Sequence, residues 1–264
     1  MTELASGKLV LDEPAEGVAR LRIANPQRRG ALDHEILDTL AETVRSLDAP
    51  CLVLTGTGKV FSAGYDLGNL EGRSFEEAAE KLVAHPFHSA IEALDAYPYP
   101  VVAALNGHAI GGGLELALTC DIRLAAREAK LGMPPAKLGL IYSHTGLRRF
   151  VEACGAPNTA ELFYTAQNVD AERGLQMGLV GHVVDAAELD ERAVAMAAGI
   201  ASGAPLSLAG NKRILRVLRA QASELPPDVE QELIALRESC FASEDFAEGV
   251  RAFGEKRAPR WQGR

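Results

Sequence analysis

The residues with the most chemical potential lie in one stretch, residues 101–121, which reads VVAALNGHAIGGGLELALTCD. VVAAL is a short apolar run after Tyr97-Pro98-Tyr99-Pro100, and this predicts a buried strand. Asn106-Gly107 is a turn signal. Leu114, Ala117 and Leu118 fall at helical spacing, so a helix is expected to begin inside Gly111-Gly112-Gly113. The first turn of a helix leaves N–H groups without acceptors and carries the positive end of the helix dipole. Glycines let a ligand approach that backbone closely. Together they form a seat for an oxyanion, and Glu115, one turn in, can exchange protons with whatever binds there. The same residues also suit a plain strand-to-helix connection in which the glutamate only steadies the helix. A nucleotide site is not indicated, because no GxGxxG follows the first strand and no GxxxxGK(S/T) occurs.

A second stretch, Val60-Phe61-Ser62-Ala63-Gly64-Tyr65-Asp66-Leu67, follows the apolar run Cys51–Leu54 and the loop Thr55-Gly56-Thr57-Gly58. The two stretches together resemble the enoyl-CoA hydratase/isomerase family, the crotonases. That family carries an F-x-A-G-x-D-(L/I) loop and, farther along, N-G-x-(A/I)-x-G-G-G-x-E followed by a helix ending in C-D. The resemblance extends to Asn25-Pro26-Gln27-Arg28-Arg29-Gly30-Ala31-Leu32 and to residues 248–257, EGVRAFGEKR, so it covers nearly the whole chain. It implies an α/β fold: a crotonase-like ββα spiral core over residues 1–190, binding acyl-CoA, and a C-terminal helical trimerisation region over 191–264. It also implies a homotrimer, often doubled to a hexamer, and CoA that arrives as part of the substrate thioester, with no separate cofactor and no metal.

By motif position, the resemblance puts the Tyr65 and Gly112 backbone amides in the oxyanion hole, where they would share the charge of a thioester enolate. It makes Glu115 the acid/base. A carboxylate beside an apolar acyl pocket would be raised by desolvation, while the helix N-terminus pushes it down. For CoA it points to the backbone near Ala31 and Ala63, to Arg28 or Arg29, and to Lys256 reaching from the C-terminal helices. One departure matters. Two-glutamate hydratases of this family carry a second glutamate twenty residues after the first, and that position here is Pro135. No Asp or Glu lies between 129 and 151 to replace it; the candidates there are Lys137, Tyr142, Ser143, His144 and Thr145. The pattern M-x-P-A-x-L-G-x-x-Y resembles the methylmalonyl-CoA decarboxylases of the family, with one glutamate and a tyrosine at the positions of Glu115 and Tyr142. His144 reads as a loop residue rather than a base.

The elements that must position these residues follow from the pattern. Residues 8–12 and 18–23 alternate around Glu16-Gly17 and predict a hairpin. Asp33 is a plausible N-cap for a helix over 34–47, with Ile36, Leu37, Leu40, Val44 and Leu47 on one face. Cys51–Leu54 is a strand, and 55–66 a glycine-rich loop. Residues 68–86 turn charged and suggest a loose helix or lid. A helix over 86–96, strands at 121–125 and 129–132, a loop over 133–146, helices over 145–154, 158–165 and 170–177, and a strand at 179–184 follow. Helices alone are expected from about residue 186, and no internal repeat is evident.

Composition sets the limits. Apolar content of 47% with 24% charged residues in 264 residues is that of a globular chain with a sizeable core. The net charge of −9 disfavours nucleic acid as a partner. No apolar run approaches the ~18 residues of a membrane span, and the N-terminus lacks a signal-peptide pattern. Cys51, Cys120, Cys154 and Cys240 form no CxxC, and free thiols in a reducing cytoplasm are expected. The basic pairs 28–29, 148–149, 212–213 and 256–257 read as solvated surface when the resemblance is set aside. The expected activity is that of an acyl-CoA lyase of the enoyl-CoA hydratase type with one of the two usual glutamates. Decarboxylation of methylmalonyl-CoA or a related malonyl-type CoA, double-bond isomerisation, and a non-catalytic binding protein are the alternatives.

Overall fold

The computed structural model describes residues 1–66, 86–221 and 224–264. The expected lid at 68–86 lies outside the described residues except for Pro86. Eleven strands are described: β1 (Thr2–Leu4), β2 (Leu9–Ala15), β3 (Val18–Ile23), β4 (Cys51–Gly56), β5 (Val60–Ser62), β6 (Val101–Leu105), β7 (His108–Ile110), β8 (Ile122–Ala126), β9 (Lys130–Gly132), β10 (Val169–Asp170) and β11 (His182–Val184). Seven form one sheet in the order β1-β2-β3-β4-β6-β8-β11, and four form a second in the order β10-β9-β7-β5. From β4 to β9 the chain alternates between them. Each turn of the spiral places one strand in the large sheet, the next in the small one, and then leads to a helix or back to the large sheet. The crotonase-like spiral expected from the motifs is the observed architecture. It is a repeat of structure with no repeat in sequence.

The large sheet is parallel from β3 through β11, with β1 and β2 antiparallel at its edge. Central parallel strands are covered on both faces, so they read as unbroken apolar runs. Successive side chains still point to opposite sides. On β4, Leu52 and Leu54 enter the main core, which α1 (His34–Ser46) and α2 (Pro86–Ala96) cover. Cys51 and Val53 enter a second cluster on the other face, which Leu189, Ala193 and Ala197 of a later helix close. Asp33 caps α1 by accepting from the Ile36 amide at 2.9 Å, as its position predicts.

α3 (Gly112–Thr119) follows β7, and α4 (Pro135–Leu138) is a short turn of helix inside the stretch expected to be loop. α5 (His144–Thr165) is broken at Gly155, whose backbone is non-helical, so the two helices expected there are present end to end. Asp170 caps α6 (Ala171–Met177) through the Arg173 amide. The strand expected at 179–184 is only His182–Val184. The final helices are α7 (Leu189–Ala201), α8 (Pro205–Gln221), α9 (Pro227–Phe241) and α10 (Glu244–Gly254). The expected boundary at 190/191 falls inside α7, which packs on the large sheet; the helices that leave the sheet begin with α8. Among the described residues no single helix is long and apolar enough to cross a membrane.

The small sheet is held against α3 at closer than ordinary range. A Cβ on Gly113 would lie 2.4 Å from the Ser62 carbonyl oxygen, which is backbone and cannot swing aside. Gly113→Ala is therefore expected to cost about 2–3 kcal/mol in urea unfolding. Gly199→Ala, in α7 with open space around it, is expected to gain up to about 1 kcal/mol in the same experiment. Equal midpoints for the two variants would contradict this packing.

Candidate active site

Two backbone amides are left over where the sheets meet α3. Leu32 forms an isolated parallel bridge with Tyr65: its amide donates to the Gly64 carbonyl at 2.8 Å, and its carbonyl accepts from the Asp66 amide at 3.1 Å. The bridge uses the groups on either side of Tyr65, so the Tyr65 amide points the other way. Gly111 has φ 57 and ψ −127, a conformation reserved for glycine, and its amide donates to the Gly132 carbonyl at 2.9 Å. Gly112 is then the first residue of α3, where an N–H has no acceptor within the helix. Gly64 joins the two segments. Its φ is +85, and a Cβ there would lie 2.8 Å from the Ile110 carbonyl oxygen and 3.0 Å from the Gly112 nitrogen. The Tyr65 ring covers Gly112, whose own added Cβ would meet the ring at 3.2 Å, and packs edge-on against Phe87.

Glu115 is one turn into α3, on the side of Gly112. It is 5% exposed. The Tyr142 hydroxyl donates a short hydrogen bond to its Oε2, and Arg149 Nε stands 3.9 Å from its Oε1. Burial pushes the Glu115 carboxyl above the ordinary value; the Tyr142 hydrogen bond and then the charges of Arg149, Arg237 and His88 oppose it. Burial, followed by the Glu115 charge, raises the hydroxyls of Tyr142 and Tyr65 well above their ordinary value. The three groups therefore hold their protons more firmly than they would in water. The Tyr142 ring is fixed edge-on to Phe163, which meets Phe150 in the same way.

A cavity of about 80 Å³ opens beside them. Its walls include Ala63, Gly64, Tyr65, Gly111 and Gly112, then Met133, Pro135 and Tyr142, and Phe241, Phe246 and Val250 from the last two helices. Gly249 allows α10 to close on α4, since a Cβ there would lie 2.3 Å from the Leu138 carbonyl oxygen. The C-terminal helices thus complete the pocket as well as extending from the core. Pro135, at the start of α4, presents an apolar wall with no proton to exchange.

The residues expected to touch CoA are divided. Arg28, Arg29 and Ala31 share one tight loop: the Ala31 amide donates to the Arg28 carbonyl at 3.0 Å, and the Ala63 amide to the Arg29 carbonyl at 3.0 Å. That loop adjoins the pocket through Ala63. Arg28 reaches Asp66 at 3.4 Å. Lys256 is exposed in a left-handed turn after α10, and no described contact joins it to this loop. His144 begins α5 and meets Glu230 at 3.3 Å rather than lying in a loop.

Sequence reading missed Arg149. It was grouped with Arg148 as surface charge, but only Arg148 fits that, at 42% exposed. Arg149 is 11% exposed and pairs with Asp95 at 2.5 Å across to α2. Lys212 likewise is paired and only partly exposed, 2.8 Å from Asp121. Both partnerships span long stretches of chain and leave no local signal. The free thiols are as expected, and burial raises Cys51 and Cys120 to about 12.

Comparison with known proteins agrees with this fold. The match to the enoyl-CoA hydratase/isomerase family covers residues 13–264. A probable enoyl-CoA hydratase of Bacillus subtilis (strain 168) is 34% identical over 93% of this chain and 95% of its own length. The methylmalonyl-CoA decarboxylase of Escherichia coli (strain K12) is 30% identical over the same shares, 93% and 95%. A crystal structure of a methylmalonyl-CoA decarboxylase superposes with a TM-score of 0.88 at 28% identity, covering 100% of both chains.

The buried Glu115 carries a stability consequence. The folded chain holds the Glu115 proton more tightly than the unfolded chain, because burial raises it. The resulting stability is present below the unfolded value and is lost as pH rises through the folded value. Glu115→Gln keeps an acceptor for Tyr142 and removes the charge. It is expected to match the parent in acid and to exceed it at alkaline pH by on the order of 1 kcal/mol. Thermal melts across pH check this, and a variant less stable at alkaline pH would contradict it.

Proposed function

Because the chain belongs to the enoyl-CoA hydratase/isomerase family, we propose that it is an acyl-CoA lyase that releases CO2 from a malonyl-type CoA such as methylmalonyl-CoA. The observation that carries this reading is the proton inventory around the pocket. Glu115 has a tyrosine hydroxyl as its close partner, and Pro135 occupies the wall where a second carboxylate would be needed to add water.

In the proposed reaction the thioester oxygen accepts hydrogen bonds from the Tyr65 and Gly112 amides. The bond between C2 and the carboxylate carbon breaks, and CO2 leaves. The electron pair moves into the C1–C2 bond and then onto the thioester oxygen, giving an enolate that the two amides stabilise. Apolar walls favour loss of the charged carboxylate over its retention. Protonated Glu115 then gives its proton to C2, yielding the saturated thioester, and takes another from solvent. Tyr142 orients that carboxyl and partly offsets the burial that makes it a weaker acid. Arg28, Arg29, Ala31 and Ala63 line the route for the CoA portion, with Lys256 available for a phosphate. Hydration is the second reading, favoured by the hydratase relative; there Glu115 works ionised, with the Tyr142 hydroxyl guiding water.

One assay on two thioesters separates these readings. Methylmalonyl-CoA is expected to give CO2 and propionyl-CoA, and Glu115→Gln to slow product formation about 100-fold or more. The rate should fall as pH rises through the raised Glu115 value. Tyr142→Phe removes the hydrogen bond that lowers this value, so the fall should move to higher pH. Hydration of crotonyl-CoA at a rate that instead rises with pH, with no CO2 from methylmalonyl-CoA, would sink the decarboxylase reading.

We further propose that copies of the chain associate through α8 and α9 as a trimer or hexamer. Leu206, Ile214, Leu215, Leu218 and Leu236 are exposed on those helices, and large apolar side chains left to solvent in that number suit an interface. Sedimentation should show an oligomer that Leu218→Asp weakens; a monomeric parent chain would refute it.

A further inference from the structure

Arg237, in α9, is the least satisfied charge near the pocket. Among the described residues two buried side-chain polar atoms have no hydrogen-bond partner, Thr57 Oγ1 and Arg237 Nε. Arg237 also makes no ion pair among the described residues. Its guanidinium carbon lies 5.2 Å from the centre of the Phe241 ring, and that ring is a wall of the cavity. A desolvated guanidinium donor without an acceptor is costly, and native chains retain few of them.

The neighbouring cations are committed elsewhere. Arg149, Arg237 and the His88 ring are the three basic side chains felt at Glu115. Arg149 is held by Asp95 at 2.5 Å, and His88 lies 3.0 Å from Glu92. Arg237 is the one of the three with no carboxylate partner among the described residues. Arg237 reaches the cavity through the Phe241 ring that it covers, and its charge is felt at the Tyr65 and Tyr142 hydroxyls. Guanidinium on an aromatic face, with its donors free, is suited to receive a carboxylate.

We propose that Arg237 receives a free carboxylate carried by the acyl group, so that the site selects thioesters of dicarboxylic acids over uncharged acyl-CoAs of equal length. The proposal rests on the acyl-CoA reading above, but not on CO2 release. CoA phosphates are common to every acyl-CoA, so an arginine serving them would not discriminate between acyl groups. If the carboxylate is the one lost as CO2, Arg237 holds it in the bound substrate more strongly than in the transition state, where its charge is leaving. Its contribution then belongs to binding, and its removal should raise KM while kcat stays level or rises.

The test is calorimetric binding of succinyl-CoA and butyryl-CoA, which have equal chain length, to the full chain. Wild type should bind succinyl-CoA about tenfold more tightly or better. Arg237→Met keeps an unbranched stem against Phe241 and should reduce succinyl-CoA to the affinity of butyryl-CoA. Arg237→Lys should retain part of the preference, which guards against a variant that merely fails to fold. No preference in wild type, or equal weakening of both ligands in Arg237→Met, would overturn the proposal. So would a change in sedimentation with the preference intact, since the counter-charge would then come from a second copy. A chain that prefers succinyl-CoA yet releases no CO2 from methylmalonyl-CoA keeps Arg237's role and loses only the reaction assigned above.

Discussion

The arrangement depends on one close approach, between Gly64 and the start of α3. Two backbone segments pass so tightly that a single methyl group on Gly64 would touch both the Ile110 carbonyl and the Gly112 nitrogen. This contact puts two orphan donors on one side of the pocket. One is orphaned because a parallel bridge uses its neighbours, the other because helices begin with unpaired N–H groups. Neither is made by a side chain, so the surrounding fold must supply the precision. Gly132 anchors Gly111, Leu32 anchors the Tyr65 segment, and Ser62 wedges beneath Gly113. The spiral topology puts Gly132 and Ser62 on strands of the small sheet, and Leu32 joins the site by an isolated bridge.

The second dependency is electrostatic. A carboxyl in an apolar cavity tends to keep its proton, whereas one beside arginines tends to lose it. Glu115 is under both influences, and burial outweighs the opposing hydrogen bond and charges. Asp95 has a part in this balance although it does not touch Glu115. By pairing with Arg149 it draws that guanidinium toward α2 and leaves it 3.9 Å from the carboxylate, near enough to temper the shift without forming a tight ion pair.

Much of this was legible in the sequence, for identifiable reasons. The glycine triplet, Glu115 and the Gly64 loop are local signals, because each special conformation needs a particular residue type where it occurs. Asp33 and Asp170 cap the helices that they precede, again a local matter. The small sheet was harder to see: β5, β7 and β9 span three residues each, too few for a period to register. Arg149 and Arg237 were invisible as functional candidates. One looked like half of a charged pair and the other like the polar face of an amphipathic helix. Their burial is decided by what packs on them from distant parts of the chain.

Pro135 changes what one wall of the pocket can offer a substrate without disturbing the backbone geometry around it. The Tyr65 and Gly112 amides are positioned by Leu32, Gly132 and the start of α3, so they need nothing from that position. Water addition needs a group to take a proton from water as well as one to supply a proton to carbon. Removing the second carboxylate takes away half of that exchange and replaces it with a rigid apolar wall. A reaction that makes its own enolate, by expelling CO2, has no need of the missing half. It benefits from the apolar wall, which disfavours a charged carboxylate and not a neutral CO2. The same wall makes a carboxylate-bearing substrate harder to admit, and the role proposed for Arg237, which makes no ion pair among the described residues, is to offset that cost at the binding step.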